Sequence, residues 1–391
     1  MTQELLIAGG GIGGLAAAVA ATRAGWCARV FEQAEAFSEV GAGVQLGPNS
    51  TRVLREWGLL DGPLAERAVR PRRLVVCDAV DGGELGSLAL DDFEARYGAP
   101  YLTVHRADLH SALLGAALAG DVRLHAGTPI DAVHATPEGV RVTCPRREAA
   151  EGDALVAADG LWSNLREQVA GPGRPRYTGH LAYRALLPLG AGDASDAEVT
   201  AWLGPRMHMV TYPVRAGEYL NLVCIAEGPL PAGDPRSWDH DAVRSQLFGA
   251  LGRVCAQARM QLEAVRHWRL WPLHGRAPVA GAGQMASGRV ALLGDAAHPM
   301  LPYLAQGAGM AIEDARELQR VLPLADGRAI DVPTALQRYA LNRWQRCARV
   351  QARSMRNGTI FHAHGPLRIA RNLSMRALGE RLIDLPWLYN H

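Results

Sequence analysis

The sequence predicts an α/β fold, because two kinds of pattern occupy most of its length. Close to the N-terminus, an apolar run, a glycine-rich turn and an alanine-rich stretch succeed one another, which is typical of a strand, a tight turn and a helix. The middle of the chain holds runs in which apolar and polar residues alternate, which is typical of strands in a sheet. At 391 residues, the chain is long enough for two or three domains of roughly 100–200 residues each.

Composition and charge exclude several classes of protein. The chain is 48% hydrophobic and 20% charged, as expected for an enzyme with a sizeable core. Its net charge of +2 is too small to indicate nucleic acid or an anionic membrane as a partner. The cysteines form no CxxC pair and lie near no spaced His pair, so we expect free thiols in a reducing cytosol rather than disulfides or a metal site. They are Cys27, Cys77, Cys144, Cys224, Cys255 and Cys347.

The uncharged stretch at residues 5–22 resembles a targeting or membrane segment only at first sight. It is preceded by Glu4 rather than by Lys or Arg, which argues against a signal peptide. It also contains several glycines, which weaken a spanning helix. We therefore expect a cytoplasmic protein without a membrane span.

The N-terminal unit has the features of a dinucleotide-binding site. A strand at Glu4–Ala8 runs into the turn Gly9-x-Gly11-x-x-Gly14, a helix follows, and a second strand ends at Glu32. The first glycine permits the turn, the second lets the backbone approach a pyrophosphate, and the third lets helix and strand pack closely. The acid can accept the ribose hydroxyls, which favours FAD or NAD over NADP. The predicted contacts are Gly9, Gly11, Ile12, Gly13, Gly14 and Glu32; the alternative is a turn with a purely structural role.

Two later segments repeat the passage from an apolar strand into a turn. The strands are predicted at 153–158 and 288–293, and a helix at 310–322 follows the second turn and its loop. Free N–H groups at the start of that helix can stabilise negative charge on a ligand. The alternative is a tight strand–helix connection that binds nothing. The residues concerned are Asp159-Gly160, Gly294-Asp295 and Gly307-Ala308-Gly309.

In this order, the three segments resemble the fingerprints of the group A flavoprotein monooxygenases, the family of p-hydroxybenzoate hydroxylase. The resemblance implies FAD as cofactor, with Asp295 on the ribityl chain and the triplet 307–309 facing the flavin pyrimidine. It also implies that Asp159 serves both FAD and the nicotinamide cofactor, and that Arg106, in the segment HRADL, contacts FAD. Since the chain has no second complete GxGxxG unit, NADH or NADPH is expected as a transient co-substrate in the same cleft.

The residues between these motifs are expected to form a sheet over the flavin ring. In the strand at 208–213, alternation puts His208, Val210 and Tyr212 on one face. This part of the chain resembles the branch of salicylate hydroxylase, 3-hydroxybenzoate 6-hydroxylase and 6-hydroxynicotinate 3-monooxygenase. The resemblance implies that His208 and Tyr212 face the substrate and that His208 assists deprotonation of a phenol; the alternative is a buried structural pair. The resembling segments are 41–50, 101–110, 203–221 and 302–315.

Four further residues are candidate substrate contacts: Gln45, Pro302, Tyr303 and Gln306. The hydroxynicotinate enzyme has His where this chain has Gln45, and the 3-hydroxybenzoate enzyme has Gln where it has Pro302. The exact ring is therefore left open. Proline at 302 is shared with p-hydroxybenzoate hydroxylase, so its backbone carbonyl could accept a substrate hydroxyl.

The predicted organisation is a Rossmann-like FAD-binding domain with an inserted β-sheet substrate domain and C-terminal helices. The discontinuous FAD-binding domain takes residues 1–70, 101–174 and 273–341. The substrate domain takes 71–100 and 175–272. Residues 342–391, rich in Arg and Ala with a helical period, are interpreted as packing or dimer surface, without chemistry.

The family resemblance implies a reaction in which NAD(P)H reduces FAD, O2 adds to give a C4a-hydroperoxide, and OH is transferred to a small phenolic or aromatic carboxylate. The expected partners are that substrate and O2, with a homodimer as the expected assembly. One alternative is a flavin-dependent NAD(P)H oxidase or dehydrogenase that makes peroxide without hydroxylating. The others are a non-catalytic flavoprotein that binds an aromatic ligand, and a hydroxylase of a larger ring.

Overall fold

The computed structural model describes residues 2–38, 42–145, 147–190, 197–236, 240–325 and 329–390. Helices and strands alternate along this part of the chain, which confirms the predicted α/β class. Its strands are β1 (Glu4–Ala8), β2 (Cys27–Phe31), β3 (Gly43–Leu46), β4 (Arg73–Asp78), β5 (Glu84–Ala89), β6 (Leu102–His105), β7 (Arg123–His125), β8 (Ala132–Ala135), β9 (Val140–Thr143), β10 (Ala150–Gly152), β11 (Ala154–Ala157), β12 (Arg176–Pro188), β13 (Glu198–Gly204), β14 (Met207–Val214), β15 (Tyr219–Glu227), β16 (His240–Asp241), β17 (Arg269–Gly275), β18 (Ala286–Ser287) and β19 (Val290–Leu292).

The helices of the same residues are α1 (Ile12–Arg23), α2 (Pro48–Glu56), α3 (Pro63–Arg67), α4 (Phe93–Tyr97), α5 (Arg106–Ala119), α6 (Glu167–Ala170), α7 (Arg244–Leu251), α8 (Ala256–Ala264), α9 (Gly307–Val321), α10 (Val332–Phe361), α11 (Gly365–Leu378), α12 (Glu380–Ile383) and α13 (Pro386–Tyr389). Short 3-10 turns include Gly294–Ala296 and Pro302–Leu304. No helix in the described ranges is long and apolar enough to cross a membrane.

A six-stranded sheet forms the base of the molecule, in the order β18-β19-β11-β1-β2-β7. Its strands run parallel except for β18, and β1 at its centre is fully buried from Leu5 to Ile7. A strand covered on both faces is expected to be continuously apolar, as this one is. Helix α1 lies against α5 and α9, and its run of small alanines lets these helices approach closely. The carboxyl ends of β1, β11 and β19 therefore meet at one edge.

An eight-stranded sheet forms the second layer, in the order β16-β17-β12-β15-β14-β13-β4-β5. It is antiparallel apart from the pair of β4 and β13. On its outer face, alternate residues such as Met207, Met209 and Cys224 pack beneath α7 and α8. The other face is turned toward the six-stranded sheet, so its side chains line the space between the two layers.

Helix α10 begins at Val332, because the carboxylate of Asp331 caps it by accepting the N–H of Thr334 at 2.9 Å. It continues into the predicted C-terminal helical region, 342–391. The predicted limits of the two domains stay a prediction, and β17 crosses one of them, at residue 272.

Candidate active site

The glycine-rich turn after β1 has the tight geometry that the sequence predicts. Gly9 has a φ of +99°, and a Cβ there would lie 2.5 Å from the carbonyl oxygen of Ala158. A Cβ on Gly14 would lie 1.8 Å from the carbonyl oxygen of Gly9. Gly11 caps α1, whose first residues Ile12 and Gly13 present N–H groups without helical acceptors. The turn therefore offers a backbone cradle for phosphate at the positive end of a helix.

The carboxylate of Glu32 lies beside this turn, where the sequence placed the ribose acid. It accepts the N–H of Gly10 at 2.6 Å and that of Ala34 at 2.8 Å, which fixes its orientation. His110 in α5 is buried, and its Nε2 lies 2.8 Å from the carbonyl oxygen of Gly10. Sequence reasoning did not identify His110, since a histidine on a helix carries no signal of a contact with residues about 100 positions away.

Asp159 follows β11 and lies next to the glycine turn, because the preceding residue, Ala158, contacts Gly9. Burial raises the pKa of Asp159 to about 6, against the opposing effect of the Ser163 hydroxyl and nearby backbone N–H groups. Its Oδ1 is buried and has no hydrogen-bond partner in the described ranges. Arg166, from the same segment, donates to the carbonyl oxygen of Ala296 at 2.6 Å. This hydrogen bond joins the segment that follows Asp159 to the turn that carries Asp295. Nothing in the sequence indicated this contact.

Asp295 lies in the turn after β19 and is open to the cleft between the layers. Loss of contact with water raises the pKa of the Asp295 carboxyl, whereas the positive charge of Arg106 lowers it. Arg106 begins α5, so the structure brings the two predicted FAD contacts into electrostatic range of each other. A carboxylate in such a cleft suits the hydroxyl groups of a polyol chain, which can donate hydrogen bonds to it.

Helix α9 begins with Gly307, Ala308 and Gly309, whose N–H groups have no acceptor within the helix. A Cβ on Gly307 would meet nothing within 4 Å, so its backbone is open to a ligand. The helix is held from behind by a buried ionic network. Asp314 accepts hydrogen bonds from Nε2 of His298 at 2.6 Å, Nε of Arg343 at 2.7 Å and the N–H of Gly294 at 3.1 Å.

The groups of this buried network keep one another ionised. Although burial opposes it, the positive charges of His298 and Arg343 hold the pKa of Asp314 down at about 2. The pKa of His298 is raised well above its usual value by Asp314, so the pair is ionised at neutral pH. Because the Asp314 carboxylate also binds Gly294, it positions the turn that carries Asp295.

Helix α10, most of which lies in the region interpreted from the sequence as packing or dimer surface, positions the loop before α9. Three of its side chains, at successive turns of the helix, bind backbone carbonyl groups at alternate positions of the loop. The bonds run from Gln351 Nε2 to Pro299 O at 3.1 Å, from Ser354 Oγ to Leu301 O at 2.6 Å, and from Asn357 Nδ2 to Tyr303 O at 3.1 Å. The loop that carries Pro302 and Tyr303 is thus fixed by residues from far along the chain.

The inner face of the eight-stranded sheet carries His208, Val210 and Tyr212, as the alternation predicts. The strand register sets their neighbours: His208 pairs with Ile225, Val210 with Val223 and Tyr212 with Asn221. We call the surface formed by Val210 and Val223, between His208 and Tyr212, the strip. Four residues along a strand span about 13 Å, so His208 and Tyr212 lie at opposite ends of this strip. A single small ring can therefore lie over Val210 with one polar group at each end.

His208 is 1% exposed and lies in a cluster of aromatic and imidazole rings. Its Nδ1 is 2.9 Å from Nε2 of His362, the residue that ends α10, and its ring lies 5.3 Å from that of Tyr303. The hydroxyl of Tyr303 is hydrogen-bonded to Nδ1 of His180. Burial, followed by the neighbouring His362 and His180, holds the pKa of His208 well below its usual value. The imidazole is therefore neutral at neutral pH.

Tyr212 stands in a second polar group at the other end of the strip. Gln45 of β3 lies close enough to Tyr212 to oppose the rise that burial causes in the pKa of this tyrosine. Its Oε1 accepts a hydrogen bond from the hydroxyl of Tyr101 at 2.7 Å. Asn221 accepts the N–H of Gly43 at 2.7 Å, and a Cβ on Gly43 would lie 2.5 Å from the Tyr212 ring. Glycine at 43 therefore lets β3 approach Tyr212 closely enough to bring Gln45 to the site.

Gln306, the fourth predicted substrate contact, is 4% exposed and caps the start of α9. Its Oε1 accepts a hydrogen bond from Nδ2 of Asn49 at 2.9 Å, and the same amide group reaches Glu313 at 2.7 Å. The side chain of Gln306 is thus engaged with the helix network, whereas Pro302 is half-buried beside Tyr303. These placements leave the roles of both residues as predictions.

The residues of the cleft fit FAD. The cradle of the glycine turn, which a Cβ would fill, suits a pyrophosphate; Glu32 and Asp295 suit the hydroxyls of ribose and ribitol. The start of α9 suits the electron-rich end of a flavin.

Comparison with known proteins agrees with this fit. The FAD binding domain family matches residues 2–354. The chain is 37% identical to a 3-hydroxybenzoate 6-hydroxylase of Polaromonas naphthalenivorans over 98% of this chain and 95% of the relative. It is 34% identical to a 6-hydroxynicotinate 3-monooxygenase of Bordetella bronchiseptica, over 89% of each chain. The crystal structure of Klebsiella pneumoniae HpxO with FAD and uric acid superposes with a TM-score of 0.86 at 26% identity, over 99% of this chain and 96% of that one.

The chain therefore belongs to the FAD binding domain family, with its Rossmann-like fold. Within that family it is an FAD-dependent aromatic-ring monooxygenase that uses NADH or NADPH. The predicted class, cofactor and branch are thus confirmed.

Proposed function

We propose that the enzyme hydroxylates a small phenolic carboxylate with O2, and that His208 accepts the phenol proton. Relatives named for hydroxybenzoate and hydroxynicotinate support a ring that bears both a hydroxyl and a carboxylate group. The observation that carries the proposal is a buried, neutral histidine on the inner face of the sheet, at one end of an apolar strip. FAD, when bound and reduced by NADH or NADPH, supplies the activation of oxygen.

The hydrogen bond between the two histidines orients His208 as a base. With the proton on Nδ1, His208 donates to Nε2 of His362, and its own Nε2 is left to accept a proton from the substrate. The lowered pKa keeps this nitrogen unprotonated at neutral pH. A phenol has a pKa near 10, so His208 acts as a general base while the ring carbon is attacked, not as a group that ionises the phenol beforehand.

The strip between the two polar ends suits one aromatic ring. Val210 and Val223 form its floor, and the sheet excludes water from this side. At the far end, Tyr212 and Gln45 are candidates to bind a substituent of the ring. The backbone carbonyl of Pro302 and the ring of Tyr303 are candidates at the edge nearest to His208.

Replacing His208 by Ala should test the assignment. We expect hydroxylation of the preferred ring to slow by about 10²–10⁴-fold, since that is the usual contribution of a general base, with FAD content unchanged. The measurement is NADH and NADPH oxidation by the FAD-loaded enzyme with hydroxybenzoates, salicylate and hydroxynicotinates, with products identified by mass.

The matched control is His267→Ala, because His267 is exposed on the sheet domain. That variant should keep wild-type rates. A His208→Ala enzyme that hydroxylates as fast as the wild type would contradict the role of the base. Wild-type enzyme that turns every ring of the panel into peroxide alone would contradict the hydroxylase itself and favour the oxidase.

We further propose that the enzyme works as a homodimer. Helix α11 exposes Leu367, Ile369 and Leu373 at 71%, 60% and 61% of their surfaces, which is a large apolar area for a free helix. Light scattering during gel filtration should give twice the mass of the chain; a monomer at micromolar concentration contradicts the proposal.

A further inference from the structure

Arg184 is a charged residue of the inner sheet face that neither the motifs nor the mechanism uses. The register aligns it with Val223 of β15 and Val210 of β14, the residues that floor the proposed ring site. Two strand spacings separate its backbone from that of Val210, about 10 Å, which a long arginine side chain can largely cover. The rows on either side hold His208 and Tyr212.

Among the residues that the structure describes, this guanidinium has no protein anion as partner. In the ranges that the structure describes, Arg184 makes no ion pair, and its Nε is buried without a hydrogen-bond acceptor. Its guanidinium lies over the ring of Trp271, 3.8 Å from the centroid, which fixes its plane but satisfies none of its in-plane donors. Arg184 is half-buried. A charge that is largely removed from water and has no partner is costly, so proteins pair such groups with an anion.

The electrostatic surroundings of Arg184 also favour a bound anion. Burial lowers the pKa of Arg184 to about 9; the neighbouring Tyr212 opposes this shift, and the positive charge of Arg106 adds to it. The group is therefore still charged at neutral pH, but at a cost. Two guanidinium groups that repel each other across a cleft are both stabilised by an anion bound between or beside them.

Arg184 projects from the sheet opposite the groups that fit FAD, and this position favours the substrate rather than the cofactor as the bound anion. The groups that fit FAD belong to the base layer: the glycine turn, Asp295 and the start of α9. Arg184 belongs to the opposing sheet, in the row between the two polar ends of the strip. A ring over Val210 with its hydroxyl at His208 can direct a second substituent toward Arg184.

We propose that Arg184 binds the carboxylate of the aromatic substrate and selects acids over neutral rings. This inference rests on the proposed function. The planar guanidinium can hold a carboxylate through two parallel hydrogen bonds, a geometry that lysine does not reproduce. Arg184 thereby determines specificity, while His208 acts on the reacting part of the ring.

The test compares acids with their amides in the FAD-loaded enzyme. The probes are 3-hydroxybenzoate against 3-hydroxybenzamide, and salicylate against salicylamide, with Kd followed by the change in flavin absorbance without NAD(P)H. Wild-type enzyme should bind at least one acid more tightly than its amide. Arg184→Gln should weaken binding of that acid by about 10- to 100-fold and change the amide by less than about threefold.

Two variants control the experiment. Arg176→Gln removes an exposed arginine of the same strand and should keep the preference for the acid. Arg184→Lys keeps the charge without the planar fork and should keep only part of the preference; it serves as the test if Arg184→Gln does not retain FAD.

Several results would overturn the assignment. They are a wild-type enzyme without preference for either acid, an Arg184→Gln enzyme that keeps the preference, and Arg184 variants that lose FAD affinity while still discriminating acid from amide. The last result would make Arg184 a flavin contact. Product analysis by mass separates this failure from failure of the proposed function, since an enzyme that hydroxylates neutral rings remains a hydroxylase.

Discussion

The two sides of the cleft are built in different ways. On the base layer, the features that fit FAD are mainly backbone groups of short segments, such as the turn from Gly9 to Gly14 and the start of α9. On the opposing sheet, the features that fit a substrate are side chains from distant parts of the chain, such as His208, Arg184 and Gln45. A backbone cradle depends on the absence of a Cβ, whereas a side-chain site depends on which groups the register brings together. Changes on the base should therefore affect folding and FAD binding together, whereas changes of the substrate-facing side chains on the sheet should affect substrate binding and the reaction more than FAD binding.

The largest effect is expected from Gly14→Ala. Because the added Cβ would lie 1.8 Å from the carbonyl oxygen of Gly9, the turn and α1 must separate. We expect a loss of at least about 3 kcal/mol in the free energy of unfolding, and loss of FAD with it. Thermal unfolding and the flavin content of the purified protein measure the two effects.

A helical glycine elsewhere supplies the control. A Cβ on Gly115 of α5 would meet nothing within 4 Å, so Gly115→Ala should be neutral or stabilise by about 0.5–1 kcal/mol. If Gly14→Ala folds and binds FAD as well as Gly115→Ala does, the description of the base layer as a sterically defined cradle is wrong.

An intermediate effect is expected from the pH dependence of the histidine cluster on the sheet side. Burial, with the neighbouring His180 and Arg371, lowers the pKa of His362 to about 3, against about 6.5 in an unfolded chain. Between these two values the unfolded state binds more protons. Stability is therefore fully present above about pH 6.5 and is lost as the pH falls toward 3, by up to about 1.4 kcal/mol per pH unit.

Replacing His362 by Asn removes this contribution. Melting temperatures at about pH 7.5 and about pH 5 should fall less steeply in His362→Asn than in the wild type, because one fewer buried imidazole must be protonated on acidification. His134→Asn, at an exposed position, should follow the wild type. Equal pH dependence in all three proteins would mean that His362 is not held neutral by burial.

The smallest effect is expected where α10 joins the two sides. Ser354→Ala removes the hydrogen bond to the carbonyl oxygen of Leu301 and leaves that oxygen without its partner. We expect a loss of about 1 kcal/mol and a decrease in FAD affinity of less than about tenfold, because Gln351 and Asn357 still hold the loop. FAD titration of the apoprotein measures the change, with the exposed Ser374→Ala as control. A loss as large as that of Gly14→Ala would show that the loop depends on a single bond.

Local patterns predicted the glycine turn of the base layer and one face of a strand in the opposing sheet. The glycine spacing after β1, the acid at Glu32 and the alternation that puts His208 and Tyr212 on one face all depend on residues close in sequence, and the structure has each of them. Two residues that complete the site, His362 and Arg184, were not predicted from the sequence. His362 lies in the region 342–391, which was interpreted as packing or dimer surface, and no sequence pattern pointed to Arg184.

The reason is that their roles depend on contacts far apart in sequence. His362 lies 154 positions from His208, and Gln351 lies 52 positions from the loop that it binds. Without several sequences to compare, nothing local distinguishes a histidine at the end of α10 from any surface histidine.

The sequence by itself determined the class of fold, a dinucleotide-binding turn and the strand face that carries His208, because backbone geometry and period-two alternation act over a few residues. The choice of FAD came from the family resemblance of the three motifs. Only the tertiary structure decided which side chains share the cleft, that His208 is neutral, and that Arg184 has no anionic partner within the described part of the chain. Those properties arise from burial and register, which exist only when the two layers have packed against each other.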